Sequence, residues 1–355
     1  MAGGAASISG VEKSGLRVIP FSYTSSRIPL HPWRSATPKL PPSLRWRSGM
    51  KLGKTDLAIG LLVTIVWGCN FSVIELGLET LDPHMLTLLR FVFCALPLVF
   101  FVKRPQGVSW SVLAAYGVLF GVGLGWGLNF AIHHGLSPGM SSVLLQFSAF
   151  FTILLSSAFL GEKISAFHTG GMLFAVIGLL LILLGGGQAS TVIGIALVML
   201  AALGWACCNV LVKVSKPADM MAFVIWSSVF SVPAILLLMV AEKGLMPFAG
   251  LADGLTGKAV FSVLFQSYVT TILGYWCWNC LMKKYAAVQI APLSLMVPVS
   301  GLIASAVMFG ERLSGQQALA IGFILLGIVV FLNAGSLQAL LGRRRLPRGG
   351  ARSHW

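Results

Sequence analysis

Gly161-Glu162-Lys163-Ile164-Ser165 and Gly310-Glu311-Arg312-Leu313-Ser314 each end a long apolar run, and they stand 149 positions apart. The second half of the chain repeats the first. At the same offset Gly171, Gly178 and Gly185 fall on Ala320, Gly327 and Ala334. A small residue at every seventh position leaves one helix face bare, so that a neighbouring helix can approach closely. Both copies keep that face.

The solvent of this chain follows from its composition. Of 355 residues, 57% are hydrophobic and 10% are charged, against about 25% charged in a soluble domain. A water-soluble fold of this size cannot hide so much apolar surface, so the expected solvent is lipid. The net charge of +15 resembles a nucleic-acid signal until it is located. Residues 1–54 contribute +8 and residues 336–355 contribute +5. Charge at the chain ends orients a membrane protein and touches anionic lipid. No aromatic-basic module accompanies it, so no nucleic-acid partner is expected. The cysteines, Cys69, Cys94, Cys207, Cys208, Cys277 and Cys280, all fall in apolar runs and read as small packing residues. Cys277 and Cys280 have redox or metal spacing, but no second pair completes a zinc site.

Stretches free of Asp, Glu, Lys and Arg mark the spans: Leu57–Ile74, Val108–Ile132, Gly139–Gly161, Met220–Ala241, Ala259–Met282 and Tyr285–Gly310. Each approaches or exceeds the roughly 20 residues a bilayer requires. His84–Val102 is a further span with one charge, Arg90. Thr169–Val212 is too long for one helix and is broken at Gly185-Gly186-Gly187-Gln188-Ala189-Ser190. Leu313–Leu332 holds the last. The expected fold is all-α and integral to the membrane, with about ten transmembrane helices in two five-helix repeats. Loops on the side of the N-terminus hold Lys103, Arg104, Lys163, Lys213, Lys216, Lys283 and Lys284, whereas the opposite loops hold Lys243, Lys258 and Arg312. The positive-inside rule places both termini in the cytoplasm. Five helices per half turn the second repeat upside down, an arrangement found in many secondary transporters, with the substrate path between the halves near the midplane.

The expected organisation has residues 50–187 as the first repeat and 188–335 as the second, followed by a basic tail at 336–355. Residues 1–49 are rich in Ser, Pro, Gly and Arg with one acid, Glu12, and lack the apolar core of a secretory signal. They read as a disordered or organelle-targeting segment, or else translation starts at Met50.

Several polar side chains stand at membrane depth, where they must find partners or line water. Trp67-Gly68-Cys69-Asn70 in the first helix is answered by Trp205-Ala206-Cys207-Cys208-Asn209 in the second half. Each Asn reads either as interhelical glue or as cavity lining. Glu75 and Arg90 lie on adjacent helices. They form either a structural ion pair or a functional set, in which Arg90 anchors a substrate carboxylate and Glu75 carries a proton. Asn129, Gln146, Gln266, Asn279 and Gln289 are further amides on or beside spans, and some must line any polar cavity. Tyr275, Trp276 and Trp278 read as cavity lining or as an interfacial belt. His133-His134 reads as a proton-exchanging pair or as a wet helix end. Pro292 and Pro298 have no counterpart in the first half and mark a gate or a static kink. Gly117, Gly121 and Gly125 have the spacing of close helix packing. Gly121 to Gly127 fails the dinucleotide pattern, and Gly254 to Lys258 fails the phosphate-loop pattern. With no nucleotide site, no cofactor or metal is expected, and an ion or substrate gradient is the expected energy source.

Val66-Trp67-Gly68-Cys69-Asn70-Phe71, Leu89-Arg90-Phe91, Gln146 with Phe150-Phe151-Thr152, and the two Gly-Glu-basic loops resemble the EamA family of the drug/metabolite transporter superfamily. Ala291 through Leu302 resembles its O-acetylserine/cysteine exporter branch. The resemblance covers about residues 52–335 and implies a ten-helix inner-membrane exporter of amino acids or related metabolites, with the bilayer and a small molecule as partners. A broader drug or metabolite exporter, or an organelle carrier, is the alternative among transporters. A lipid-modifying membrane enzyme would need clustered acids or a metal set, and the acids here are scattered at span ends and in loops.

Overall fold

The structure, a computed structural model, describes residues 53–160, 164, 166–185, 191–284, 293–294 and 296–333. The tails at 1–49 and 336–355, residues 161–163, residues 186–190, Gln289 and Pro292 lie outside the described residues.

Every regular element among the described residues is a helix. In chain order these are α1 (Lys54–Leu78), α2 (Pro83–Ala95), α3 (Trp110–Val118), α4 (Gly127–His133), α5 (Pro138–Leu144), α6 (Phe147–Leu160), α7 (Ala166–Gly185), α8 (Val192–Ser215), α9 (Met220–Lys243), the short α10 (Met246–Ala249) and α11 (Leu251–Gly254), α12 (Gly257–Leu264), α13 (Gly274–Lys284), α14 (Met296–Phe309) and α15 (Gly315–Leu332). Polar caps set several of the starts. Asp82, Ser109, Ser137, Thr191, Asp219, Thr256 and Ser314 each accept a backbone N–H of the turn they open, satisfying donors a helix start leaves bare. Seven helical stretches are long and apolar enough to cross a membrane, and three shorter apolar helices accompany them. Large apolar side chains point outward, as at Leu62 (60% exposed), Leu237 (70%) and Val307 (80%). Such a surface is stable against lipid and not against water. The chain is an integral membrane protein.

Two π-helical segments interrupt the third span of each half. Leu119–Trp126 joins α3 to α4, and Phe265–Leu273 joins α12 to α13. A π turn widens a helix locally and re-aims its side chains, and such turns recur at functional sites. In the second segment Thr270 and Thr271 donate their hydroxyls to the carbonyls five residues back, Phe265 and Gln266.

The helix pairings come in matched sets. α1 packs on α14 as α8 packs on α6, while α2 packs on α9, α5 on α14 and α7 on α15. Exchanging the halves leaves this scheme unchanged. The repeated small-residue stripe has a specific partner in it. A Cβ at Gly171 would lie 2.6 Å from the Gly327 carbonyl oxygen, and one at Gly178 would lie 2.6 Å from that of Ala320. The stripe of α7 is packed against the stripe of α15, antiparallel, so each copy's bare face receives the other. Gly117 and Gly121 bring the third span against Ser227 and Ser231 of α9, and Gly125 brings it against Phe91 of α2. Those glycines are packing residues.

Candidate functional site

A cavity of about 470 Å³ lies between the halves, bounded by α1, α2, α6, α8 and both π-containing spans. Seven of the ten side chains singled out as substrate or coupling candidates line it: Trp67, Asn70, Arg90, Gln146, Trp205, Asn209 and Tyr275. The two Trp-to-Asn motifs meet here. Trp67 and Trp205 both touch the Tyr275 ring, with centroids at 5.4 and 5.7 Å. Trp278 extends the row beyond Trp67 at 5.3 Å, and Phe120 extends it beyond Trp205 at 5.7 Å. The result is a continuous aromatic wall.

Polar contacts fix that wall in place. Trp67 donates its indole N–H to the Thr270 carbonyl at 3.0 Å. The Thr270 hydroxyl donates to Asn70 Oδ1 at 2.9 Å. Asn209 donates to Thr152 Oγ1 at 3.2 Å, and Gln146 donates to the Ser294 carbonyl at 3.3 Å. Asn70 and Asn209 each tie helices together and also line the cavity.

Arg90 is the charged side chain on the wall. It is 6% exposed. Its Nε and Nη2 hydrogens go to Thr271 Oγ1 at 3.3 and 3.0 Å, and its guanidinium lies 5.4 Å from the Phe91 ring and 5.8 Å from that of Phe120. Among the described residues no carboxylate pairs with it. The ion pair with Glu75, one of the two readings of the sequence, is not formed. At 100° per residue, five residues turn Glu75 about 140° away from Asn70 on α1, so it leaves the cavity wall. Trp276 turns away in the same manner from Tyr275 and is 50% exposed. Asn129 is fully buried outside the wall, where it donates to Thr87 Oγ1 at 2.8 Å. Pro298 sits in the first turn of α14, where a missing N–H leaves no intrahelical bond unmade. The interior proline is Pro233, within α9.

Sequence reasoning missed three features. Tyr116 lines the cavity, is 1% exposed, and its buried hydroxyl finds no hydrogen-bond partner among the described residues. It is one of five tyrosines, and its scarcity within an apolar run was the available signal. Thr270 and Thr271 organise the site, but nothing in a lone Thr-Thr marks a π turn. His84, at one end of α2, is fully buried between two carboxylates. Its second partner lies 158 residues away, a separation that no local pattern reveals.

The cavity reaches one end of the bundle more closely than the other. Val212 and Met220, which flank the 216–219 turn, line it. The other end is held together by polar contacts. Lys258 donates to Glu79 at 2.6 Å, Thr80 to the Gly254 carbonyl at 2.8 Å and Ser137 to Glu311 at 2.5 Å. Lys243 donates to Asp82, and Ser305 to Glu311.

A largely aromatic and apolar cavity with a few polar groups and one cation, set between two matched sets of apolar helices and nearer one end than the other, is the anatomy of a membrane carrier. The chain belongs to the EamA-like transporter family, which matches residues 55–184 and again residues 192–333. It is 34% identical to a protein of Escherichia coli (strain K12) named "Probable amino-acid metabolite efflux pump", over 79% of this chain and 95% of that one. A protein of the same name from Salmonella typhimurium is 35% identical over 79% and 95%. A "Probable terminal-alkyne amino-acid exporter" of Streptantibioticus cattleyicolor is 23% identical over 83% and 97%. A solved structure described as "Crystal structure of protein" shares the fold at a TM-score of 0.55 and 18% identity, over 83% of this chain and 99% of its own. The protein is a transporter and not an enzyme.

Proposed function

We propose that this transporter exports amino acids or related small metabolites, with cysteine and O-acetylserine as the leading substrates, by alternating access between two inverted halves of five helices. The observation that carries the reading is Arg90, a cation facing an otherwise uncharged cavity with a hydroxyl for a neighbour. A carboxylate is the group that completes it, because charged groups at membrane depth are costly without an opposite charge. The aromatic wall accepts an ammonium through its π faces. The names of the relatives agree with such a substrate. A cavity of about 470 Å³ falls in the range that accommodates drug-sized ligands. That size favours, as a second reading, a broader set of amino-acid metabolites than cysteine alone.

The inverted arrangement is supported by the exchangeable pairing scheme and by the antiparallel contact of α7 with α15. Seven long spans and three shorter apolar helices make up the proposed ten. The excess of basic residues in the 103–104 and 213–216 loops supports cytoplasmic termini, and the bacterial relatives support an inner membrane. In that orientation the cavity of this structure reaches the cytoplasm and is closed outside, the state in which an exporter loads.

The test is counterflow in proteoliposomes of the full chain. Labelled cysteine added outside should accumulate in vesicles preloaded with cysteine or O-acetylserine and should not do so in vesicles preloaded with cysteamine, which lacks the carboxylate. Failure with every carboxylate-bearing amino acid tried would reject the substrate class.

A further inference from the structure

On the closed face, the start of α2 meets the end of α9 through one buried imidazole. His84 has no exposed surface, and its Nδ1 lies 2.9 Å from Asp82 Oδ1 while its Nε2 lies 2.9 Å from Glu242 Oε2. Ionised carboxylates accept hydrogen bonds and do not donate them. Both contacts are therefore hydrogen bonds only when both ring nitrogens carry hydrogen, that is, as imidazolium. A neutral ring presents a lone pair to one of the two oxygens.

We propose that His84 is a proton-binding site whose occupancy locks this face of the transporter shut. The proposal rests on the alternating-access reading above and names the ion that biases it.

The surrounding charges fit that role. Asp82 also accepts the His84 backbone N–H at 2.8 Å and the Lys243 ammonium. Burial pushes the Asp82 carboxyl up, but the hydrogen bonds from the His84 ring, Lys243 and the His84 backbone outweigh it and hold it well below the usual carboxylate range. It remains an acceptor at any working pH. With His84 protonated, Asp82, Glu242, His84 and Lys243 sum to zero charge. Without that proton the cluster carries an uncompensated negative charge among helix ends. The remaining titratable groups on elements packed around α2 are placed differently. His133, at the end of α4, lies within electrostatic reach of Lys243, Asp82 and His84, and its neighbour His134 is bonded to the Phe130 carbonyl through Nδ1 at 2.9 Å. Trp126 and Phe130 close over the imidazole with centroids at 5.6 Å. From α1, Glu75 is part-buried and Glu79 engages Lys258 of α12. Arg90 and Cys94 lie further along α2, bonded to Thr271 and to the Ser267 carbonyl. Glu242 is 39% exposed at its side chain and provides the path by which a solvent proton reaches Nε2.

Among the described residues, the opposite ends of the same two helices carry no such device. There Trp226 of α9 donates its indole N–H to the Val102 carbonyl at 3.0 Å, and Asp219 caps its own helix. The lock is one-sided, so a proton taken up at this face favours the state in which the cavity communicates with the other. Under the proposed orientation, acid outside biases the emptied carrier toward its loading state.

The test reads gate opening and needs no transported substrate. Leu128 lines the cavity on the side toward the lock, and Leu245, 68% exposed beside α9, reports the sidedness of the membrane. A carrier with Leu128→Cys as its sole cysteine is labelled with an impermeant maleimide from the face at which a Leu245→Cys control reacts. The labelling rate is corrected for thiolate fraction. It should rise about tenfold or more, the equivalent of one lost hydrogen bond, between an acid and an alkaline pH. Glu242→Gln should remove that rise and stay slow, because a Gln amide can donate to a neutral Nε2. His84→Gln should label fast at both pH values. A pH-independent rate in the parent, or an undiminished rise in Glu242→Gln, would overturn the proposal while leaving the transporter reading to the counterflow experiment.

Discussion

Replacing Arg90 by Gln separates substrate anchoring from structural support, because the two roles move stability and transport in opposite ways. If Arg90 served an ion pair, removing it would strand a buried carboxylate and cost about 3–5 kcal/mol of stability. The structure instead gives it one hydroxyl partner, Thr271 Oγ1, shared by two N–H groups. Losing that contact costs about 1.5–3 kcal/mol. Removing the cation from membrane depth returns about 2.5–3.5 kcal/mol. The two nearly cancel, so Arg90→Gln should leave the thermal midpoint in detergent close to that of the parent. Transport should behave differently. Charge-assisted bonds to a substrate carboxylate are worth about 1.5–3 kcal/mol each. Losing one raises the half-saturating concentration about ten- to 150-fold, and losing a bidentate pair raises it further. Arg90→Lys keeps the charge but not the planar fork, and should fall between. The assay is concentration-dependent counterflow in proteoliposomes, matched for carrier content, with the melting temperature measured on the same preparation. A stable Arg90→Gln protein that transports with unchanged half-saturation would refute the anchoring role. A protein that no longer folds would refute the energy balance.

Other outcomes follow from the same structure. Tyr116→Phe should fold normally and raise the melting temperature in detergent, since its buried hydroxyl bonds nothing among the described residues and an unpaired buried polar group costs about 1–3 kcal/mol; an unchanged or lower midpoint would count against this. Trp276→Leu should leave counterflow unchanged because its ring faces outward, whereas Trp67→Leu should impair it by breaking the aromatic wall; parallel initial rates compare them. Gly178→Leu should force α7 from α15 and cost about 1–3 kcal/mol or more, because a Cβ there already lies 2.6 Å from a backbone oxygen; detergent melting would detect it.

Much of the site was legible in the sequence for a plain reason. A polar or aromatic side chain in an apolar span has few places to go, so Trp67, Asn70, Arg90, Trp205 and Asn209 announce a cavity before any coordinates exist. Glu75 and Trp276 fail the same inference because distance along a helix is not direction around it. Their neighbours Asn70 and Tyr275 face the cavity while they do not. The π segments were hidden because no residue pattern requires them.

The sequence by itself determined that the chain lives in lipid, that its halves are copies, and that each copy carries a bare helical face. These are properties of composition and period, and they need no partner to be read. The tertiary structure decided what each face meets. Gly171 is packed on Gly327 and Gly178 on Ala320, the stripe of one half received by the stripe of the other. It also placed a histidine at the end of one helix between carboxylates, one of them 158 residues distant. Contacts of that kind depend on how the helices are arranged in three dimensions, and a one-dimensional pattern records only that each helix has something to offer.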